Sequence, residues 1–308
     1  MRADLSLVEL GYATSRAQAQ RLITSGVRWR ESMVPDAPWK TIGKNSDELP
    51  ADAQIELLDA AEARYVSRGG LKLEGALRTS GVEVAGKTCL DVGQSTGGFT
   101  DCLLQHGAAF VVGVDVGSGQ LHPSMRANPQ VLALEHTNAR ELAASDLIAA
   151  YAGESGADVD FDDEDSADDQ DDLDDESFAA EDDDACEADF EAPDADAAFN
   201  ATFDLIVGDL SFISQTLVLP ALVPLLKPGA DLIMLVKPQF ELQPGQVGKR
   251  GIVKDVSMYD VVEKRIRDCC AELGLEIKTW FDSPITGGDG NREFFVHAVK
   301  AATPSTPE

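Results

Sequence analysis

CLDVGQSTGGFTDCLLQHGA (residues 89–108), followed by FVVGVDVG (residues 110–117), decides the fold of this chain. The apolar run Thr88–Val92 predicts a short buried strand, and Gly93, Gly97 and Gly98 predict a tight turn. From Gly98 to His106 the spacing is helical, with a stop at Gly107. A second strand then ends in an acid, Asp115, 22 residues past Gly93. Strand, glycine turn, helix and acid-tipped strand form the opening unit of a doubly wound sheet. In such a unit the acid accepts hydrogen bonds from a ribose, and the glycines let a nucleotide-like ligand lie against bare backbone.

The turn reads D-x-G-x-x-x-G-G, with Ser95-Thr96 where a dinucleotide fingerprint has a glycine, which argues against NAD or FAD. It resembles instead the first motif of S-adenosylmethionine-dependent methyltransferases, whose cofactor has no pyrophosphate to cradle. Further strands are predicted near 131–135, 203–209, 231–237, 276–281 and 293–299, with helical stretches between most of them. The pattern predicts an α/β domain with a Rossmann-like seven-stranded sheet, its ligand beyond the carboxyl ends of the central strands.

The 308 residues carry a formal net charge of −30, but the charge is uneven. Between Glu154 and Asp196 there are 23 acidic residues and no Lys or Arg; without them the rest of the chain stands at −7. Residues 1–45 hold seven Lys/Arg against four Asp/Glu. The low pI therefore belongs to one segment and does not exclude a nucleic-acid partner. That segment, about 151–200, is rich in Asp, Glu, Ala and Ser, has no apolar period, and reads as a disordered insertion between the third and fourth strands of the sheet.

Cys89, Cys102, Cys186, Cys269 and Cys270 show neither metal-ligand spacing nor a disulfide framework, so no metal is expected and a reducing cytoplasm fits. No signal peptide or membrane-spanning run is present; the nearest candidate, residues 212–226, is broken by Pro220 and Pro224. Neither a membrane nor an obligate protein partner is implied.

Residues 1–60 read as a separate α+β unit. LSLVELG (residues 5–11) and SRAQAQRLITSG (residues 15–26) are short helices stopped by Gly11 and Gly26, the second opening on Ser15 with Gln18 three residues on. Strand-like pieces follow at Val27–Trp29, Trp39–Ile42 and Ile55–Leu57. The opening RADLSLVELGYATSRAQAQRLI resembles the RNA-binding module named after ribosomal protein S-four. That resemblance makes Arg2, Arg16, Gln20 and Arg21 candidate RNA contacts, which would give affinity and orientation through phosphates. A linker spans about 61–70, and the catalytic domain is expected over 71–302.

Four ionisable residues sit where a doubly wound fold would gather them. Lys72 precedes the first strand of the large sheet, Asp209 ends the fourth, Lys237 follows the apolar LIMLV of the fifth, and Glu293 opens the last. A cation at a buried strand tip is costly unless it is paired or used. In this order, around a glycine-rich turn, the four resemble the Lys-Asp-Lys-Glu tetrad of FtsJ-like ribose 2′-O-methyltransferases. With RYVSRGGLKL, DLSFIS, KPQFE and GKRGIVKD, the whole chain outside the acidic insertion resembles the TlyA family. Two departures are Tyr65, where family members often carry Trp, and the insertion itself.

The resemblance implies S-adenosylmethionine-dependent methylation of a cytidine 2′-hydroxyl in ribosomal RNA, with the RNA or a ribosomal subunit as partner. Lys237 is the expected base, oriented with Lys72 by Asp209 and Glu293. Gly93, Ser95, Thr96, Gly97, Gly98 and Phe99 are expected at the cofactor's methionine side, Asp115 at its ribose and Asn138 at its adenine. Arg64, Arg68, Lys249 and Arg250 are further expected RNA contacts. GQVGKRGIVKD (residues 245–255) lacks the Ser/Thr and the strand–loop–helix setting of a triphosphate loop. DLSF lacks the Pro-Pro-aromatic turn of amine methylation, and no cysteine stands at a strand tip for carbon-5 methylation. A non-catalytic RNA-binding factor and a membrane-lytic protein are the remaining alternatives.

Overall fold

The computed structural model describes residues 1–13, 15–32, 37–58, 64–153, 199–248, 251–287 and 290–302. Lys249, Arg250, Cys186 and most of the acidic insertion lie outside these residues.

The amino-terminal unit consists of α1 (Ala3–Glu9), α2 (Arg16–Gly26) and the strands β1 (Val27–Glu31), β2 (Lys40–Thr41) and β3 (Ala53–Leu57), ordered β2-β1-β3 and antiparallel. Ser15 caps α2 by accepting from the Gln18 amide at 3.3 Å, so one arm of the predicted capping box forms. The helices pack on one face of the sheet through Leu7, Leu22, Ile23, Val27 and Ile55. That small core belongs to this unit alone.

The large domain opens with α3 (Gly69–Ser80) and continues β4 (Thr88–Val92), α4 (Gly98–Gln105), β5 (Phe110–Val114), α5 (Pro123–Arg126), β6 (Val131–Leu134) and α6 (Ala144–Tyr151). After the insertion come β7 (Phe203–Gly208), α7 (Gln215–Leu222), β8 (Leu226–Val236), α8 (Pro238–Glu241), α9 (Ser257–Glu272), β9 (Leu275–Asp282) and β10 (Phe294–Lys300). The sheet runs β6-β5-β4-β7-β8-β10-β9, parallel except for β10, which is antiparallel to both neighbours. The seven-stranded α/β expectation holds. The order reverses between β4 and β7, and that switch point creates the crevice for a ligand. In β8 the register slips between Leu226 and Asp231, so only the later part is the continuous strand read from the sequence.

Alternation along the central strands sends side chains to two cores, as a sheet covered on both faces requires. Leu90, Val92, Val112, Ile206, Leu232 and Met234 fill one core; Cys89, Val111, Leu205, Val207, Ile233 and Phe295 fill the other. Cys89 and Cys102 are buried and their thiols pushed up to about 12 by that burial, which suits packing and not nucleophilic chemistry.

The linker is tied down at both sides. Asp101 of α4 accepts from the Val66 amide at 2.8 Å, Gln105 donates to the Arg64 carbonyl at 2.9 Å, and Gln18 of α2 reaches the Tyr65 carbonyl at 3.4 Å. Tyr65 is buried against Gly70, where any Cβ would strike its ring.

The insertion leaves from an aromatic clasp. Tyr151 at the end of α6 stacks on Phe199 with centroids 4.6 Å apart, and Phe110 and Phe203 pack edge-on around them. Tyr151 and Phe199, at the two edges of the expected insertion, pack against the folded domain. Phe110 and Phe203 begin β5 and β7, so the clasp lies at the amino ends of the strands, opposite the crevice. Replacing residues 154–198 with a short Gly-Ser linker should leave the melting temperature and the cofactor affinity unchanged. Extending the deletion through Tyr151 and Phe199 should lower the melting temperature, because a stacked aromatic pair contributes about 0.5–1.5 kcal/mol beyond the area it buries. Thermal melts of the two deletions check this.

Candidate active site

The glycine-rich turn is shaped by close approach as much as by backbone freedom. Gly93 has φ +82°, and a Cβ there would lie 2.9 Å from the Asp209 carbonyl oxygen. Gly98 opens α4 against the linker, where a Cβ would collide with the Ser67 hydroxyl and lie 2.9 Å from the Gly70 nitrogen. Ser95 takes φ +47°, held by Asp115, whose Oδ2 accepts from the Ser95 amide at 2.7 Å. The other oxygen, Oδ1, accepts from the Gly117 amide at 2.8 Å. Asp115 thus shapes the turn besides presenting a carboxylate at the tip of β5.

Behind the turn lies Asp91, the acid that opens the D-x-G-x-x-x-G-G motif, to which the sequence assigned no role. Asp91 is completely buried in β4 and accepts from Thr100 Oγ1 at 2.7 Å, while Gln94 Nε2 donates to that hydroxyl at 2.9 Å. Burial raises its pKa to about 7; the Thr100 hydrogen bond opposes the rise and the nearby Asp209 charge adds to it. An unfolded carboxyl ionises near 3.8, so this contribution to stability is complete below that pH and is lost as pH climbs through about 7. The loss amounts to about 4 kcal/mol. Asp91→Asn should therefore gain stability relative to the parent between about pH 5 and about pH 8, read from urea unfolding at both. A difference independent of pH would contradict it.

A crevice of about 440 Å³ opens beside the turn, lined by Gly93, Ser95, Asp115, Gln120, Asn138 and Asp209 with Val114, Val116, Leu210 and Ile213 among the apolar walls. It adjoins a second cavity of about 250 Å³ bordered by Ser67, Thr96, Gly98, Phe99, Ser211 and Lys237. Asn138 folds its Oδ1 back onto the Arg140 amide at 3.1 Å. The structure gathers the expected turn residues, Asp115 and Asn138 about these two spaces, except that Gly97 lies behind them, against Leu121 and Met125. The set fits S-adenosylmethionine. Asp115 would offer a carboxylate to a ribose, the apolar walls would flank an adenine, and the strand-tip acids would favour a sulfonium cation.

All four tetrad residues meet where the crevice adjoins the second cavity, Asp209 lining both spaces and Lys237 the second. Lys237, one residue past β8, places Nζ 2.6 Å from Asp209 Oδ1 and donates to Ser211 Oγ at 2.8 Å. Lys72 of α3 lies 2.7 Å from Glu293 Oε2 and 3.8 Å from Asp209 Oδ2. The Lys72 and Glu293 side chains are buried and those of Asp209 and Lys237 only partly exposed, at 21% and 12%. The chain Glu293–Lys72–Asp209–Lys237 alternates in charge, so each buried ion has an opposite neighbour. Gly287 lets Glu293 sit this close, since a Cβ there would be 2.5 Å from its Oε1.

Three further residues complete the site. Glu241, the last residue of KPQFE, is buried; its Oε2 accepts from Ser214 and its Oε1 from the Gln215 amide at 2.7 Å. Burial raises its pKa against the pull of these donors. It joins the helix after Lys237 to the loop after Asp209. Asn291 binds the Val253 amide at 3.1 Å and the Gly251 carbonyl at 3.0 Å, fastening GIVKD beside Glu293. Phe212, in DLSFIS, is 90% exposed with φ +65° and lines the crevice, its ring 5.1 Å from Phe240. An aromatic between Ser211 and Ile213 just beyond a strand tip was the available signal for it.

The expected RNA contacts are less free than the sequence suggests. Arg2, Arg16 and Gln20 all bind Asp4, and Arg64 pairs with Glu74. Arg21 and Arg68 are half-buried and also have partners.

The FtsJ-like methyltransferase family matches residues 65–300. A Mycobacterium tuberculosis protein named 16S/23S rRNA (cytidine-2′-O)-methyltransferase TlyA is 36% identical, covering 96% of this chain and 88% of that protein. Hemolysin A of Brachyspira hyodysenteriae is 30% identical over 97% of this chain and 100% of its own length. A solved structure of a hemolysin candidate from Streptococcus thermophilus superposes with a TM-score of 0.62 at 30% identity, covering 99% of this chain and 90% of that one. By the match over its large domain and these relatives along nearly its whole length, the chain belongs to the FtsJ-like methyltransferase family.

Proposed function

We propose that this protein methylates the 2′-oxygen of a cytidine ribose in ribosomal RNA, with Lys237 as the base. The observation that carries the reading is the continuous Glu293–Lys72–Asp209–Lys237 chain, which reaches the crevice at Asp209. The relative named for cytidine-2′-O-methylation of 16S and 23S rRNA supports the substrate. Among the described residues no helix is long and apolar enough to cross a membrane. A cytoplasmic site of action is part of the same reading.

S-adenosylmethionine, when bound, supplies a methyl group on a cationic sulfur that departs as a neutral thioether. The chain's own residues must therefore handle only the ribose proton. Lys237 accepts that proton at Nζ as the sugar oxygen attacks, and Asp209, 2.6 Å away, stabilises the ammonium so formed. Lys72, held by Glu293, stands on the other side of Asp209 and keeps its carboxylate aimed at Lys237. Ser211 fixes the direction of Nζ. Orienting the hydroxyl in line with the methyl group supplies much of the remaining acceleration.

Phe212 and Phe240 form an aromatic wall for the target base, drawn out of its stack so that its sugar reaches Lys237. Arg2, Arg16, Gln20, Arg21, Arg64, Arg68, Lys249 and Arg250 are assigned to the RNA backbone. Incubating the protein with labelled S-adenosylmethionine and separated ribosomal subunits, then identifying the labelled nucleoside, tests the assignment. Label in 2′-O-methylcytidine is expected; transfer to another nucleoside, or none, would refute it.

A further inference from the structure

We propose that Asp4 is a positioning residue that presets two arginines as a fork for an RNA phosphate. The proposal rests on the reading that the amino-terminal unit binds ribosomal RNA. Asp4 lies in the first turn of α1 and is fully buried. Arg2 donates to its two oxygens through Nε and Nη2, both at 3.0 Å. Arg16, the first residue of α2, donates Nε to Oδ2 at 2.8 Å, and Gln20, one turn on, donates Nε2 to the same oxygen at 3.2 Å. Hydrogen bonds from Arg2 and Arg16 hold the carboxyl far below the usual carboxylate range. One carboxylate thus gathers three side chains, Arg2 from just before α1 and Arg16 and Gln20 from α2.

The arginine side chains nevertheless remain 44% and 53% exposed. About half of each side chain is therefore open to an external anion while its Nε is held by Asp4. Planar guanidinium groups fixed in direction match phosphate oxygens two at a time and lose little freedom on binding. The backbone supports the arrangement: the Asp4 amide donates to the Asn45 carbonyl at 3.2 Å, and Arg2 bridges to Glu48.

The proposal makes a prediction opposite in sign to simple electrostatics. Asp4, Arg2 and Arg16 together carry +1, and Asp4→Asn raises that to +2. If charge alone mattered, the variant would bind RNA more tightly and with a steeper salt dependence. With preorganisation dominant, releasing both arginines weakens binding about tenfold. Filter binding to transcribed large-subunit ribosomal RNA at two salt concentrations distinguishes the two, with far-UV circular dichroism confirming the fold. Unchanged or tighter binding by folded Asp4→Asn overturns the proposal.

Arg16→Lys provides a second test should Asp4→Asn fail to fold, since it keeps the charge but loses the planar fork. It too should weaken binding about tenfold, and full affinity would overturn the proposal. If Arg2→Ala and Arg16→Ala both bind as the parent does, the RNA-binding reading of this face fails first, and the role of Asp4 with it.

Discussion

Lys237→Ala should abolish methyl transfer while S-adenosylmethionine still binds with parental affinity. The crevice is built mainly by the glycine turn, Asp115 and the apolar walls, and Lys237 borders only the smaller cavity that adjoins it. Removing a general base typically costs about 10²–10⁴-fold in rate. Among the described residues, alanine also leaves Asp209 with only Lys72, 3.8 Å away, to balance its charge. Lys237→Arg separates the two effects. Arginine can restore the ion pair with Asp209 but cannot give up its proton, so it should fold normally and remain inactive. Single-turnover transfer and calorimetric cofactor titration measure the two quantities. An arginine variant with parental turnover would show that Lys237 contributes only charge.

The second large effect is expected at Phe212. A ring 90% exposed on a left-handed, non-glycine backbone costs the fold strain and returns little burial. Phe212→Ala should therefore leave the melting temperature unchanged. Base–aromatic stacking contributes about 1–3 kcal/mol, so transfer to RNA at sub-saturating substrate should fall about 5–150-fold. Phe212→Tyr should recover most of the activity because it keeps the ring, whereas Phe212→Leu should not. Competition between the variants for one ribosomal RNA preparation checks the order, and an alanine variant as fast as the parent would remove the aromatic wall from the account.

How much of this was legible depends on whether a residue acts alone or through neighbours. The β4–turn–α4–β5 unit was readable because its glycines and its terminal acid are local signals, and α4 ends at the expected stop. The tetrad was readable as a pattern, but its pairing was not. Which carboxylate lies between the lysines depends on strand order, and only the β4-β7-β8-β10 arrangement puts Asp209 there.

Three other roles were hidden because they depend on distant partners. Asp115 spends both oxygens on the backbone of its own site, which no spacing reveals. Glu241 reads as part of a motif near Lys237, yet its carboxylate serves the start of α7. The amino-terminal cations read as a simple positive face, and the buried acid that organises them was visible only as one charge among several. Asp91 was visible as the acid of D-x-G-x-x-x-G-G, but its complete burial and its Thr100 partner follow only from the fold.

The most direct test of the central claim is alkaline hydrolysis of ribosomal RNA that the protein has methylated with labelled cofactor. Alkali cleaves RNA through the free 2′-hydroxyl, so a methyl on that oxygen protects the adjacent phosphodiester. The account predicts label in alkali-stable dinucleotides that begin with cytidine. Label released in mononucleotides would place the methyl on a base and contradict a lysine acting on a ribose hydroxyl.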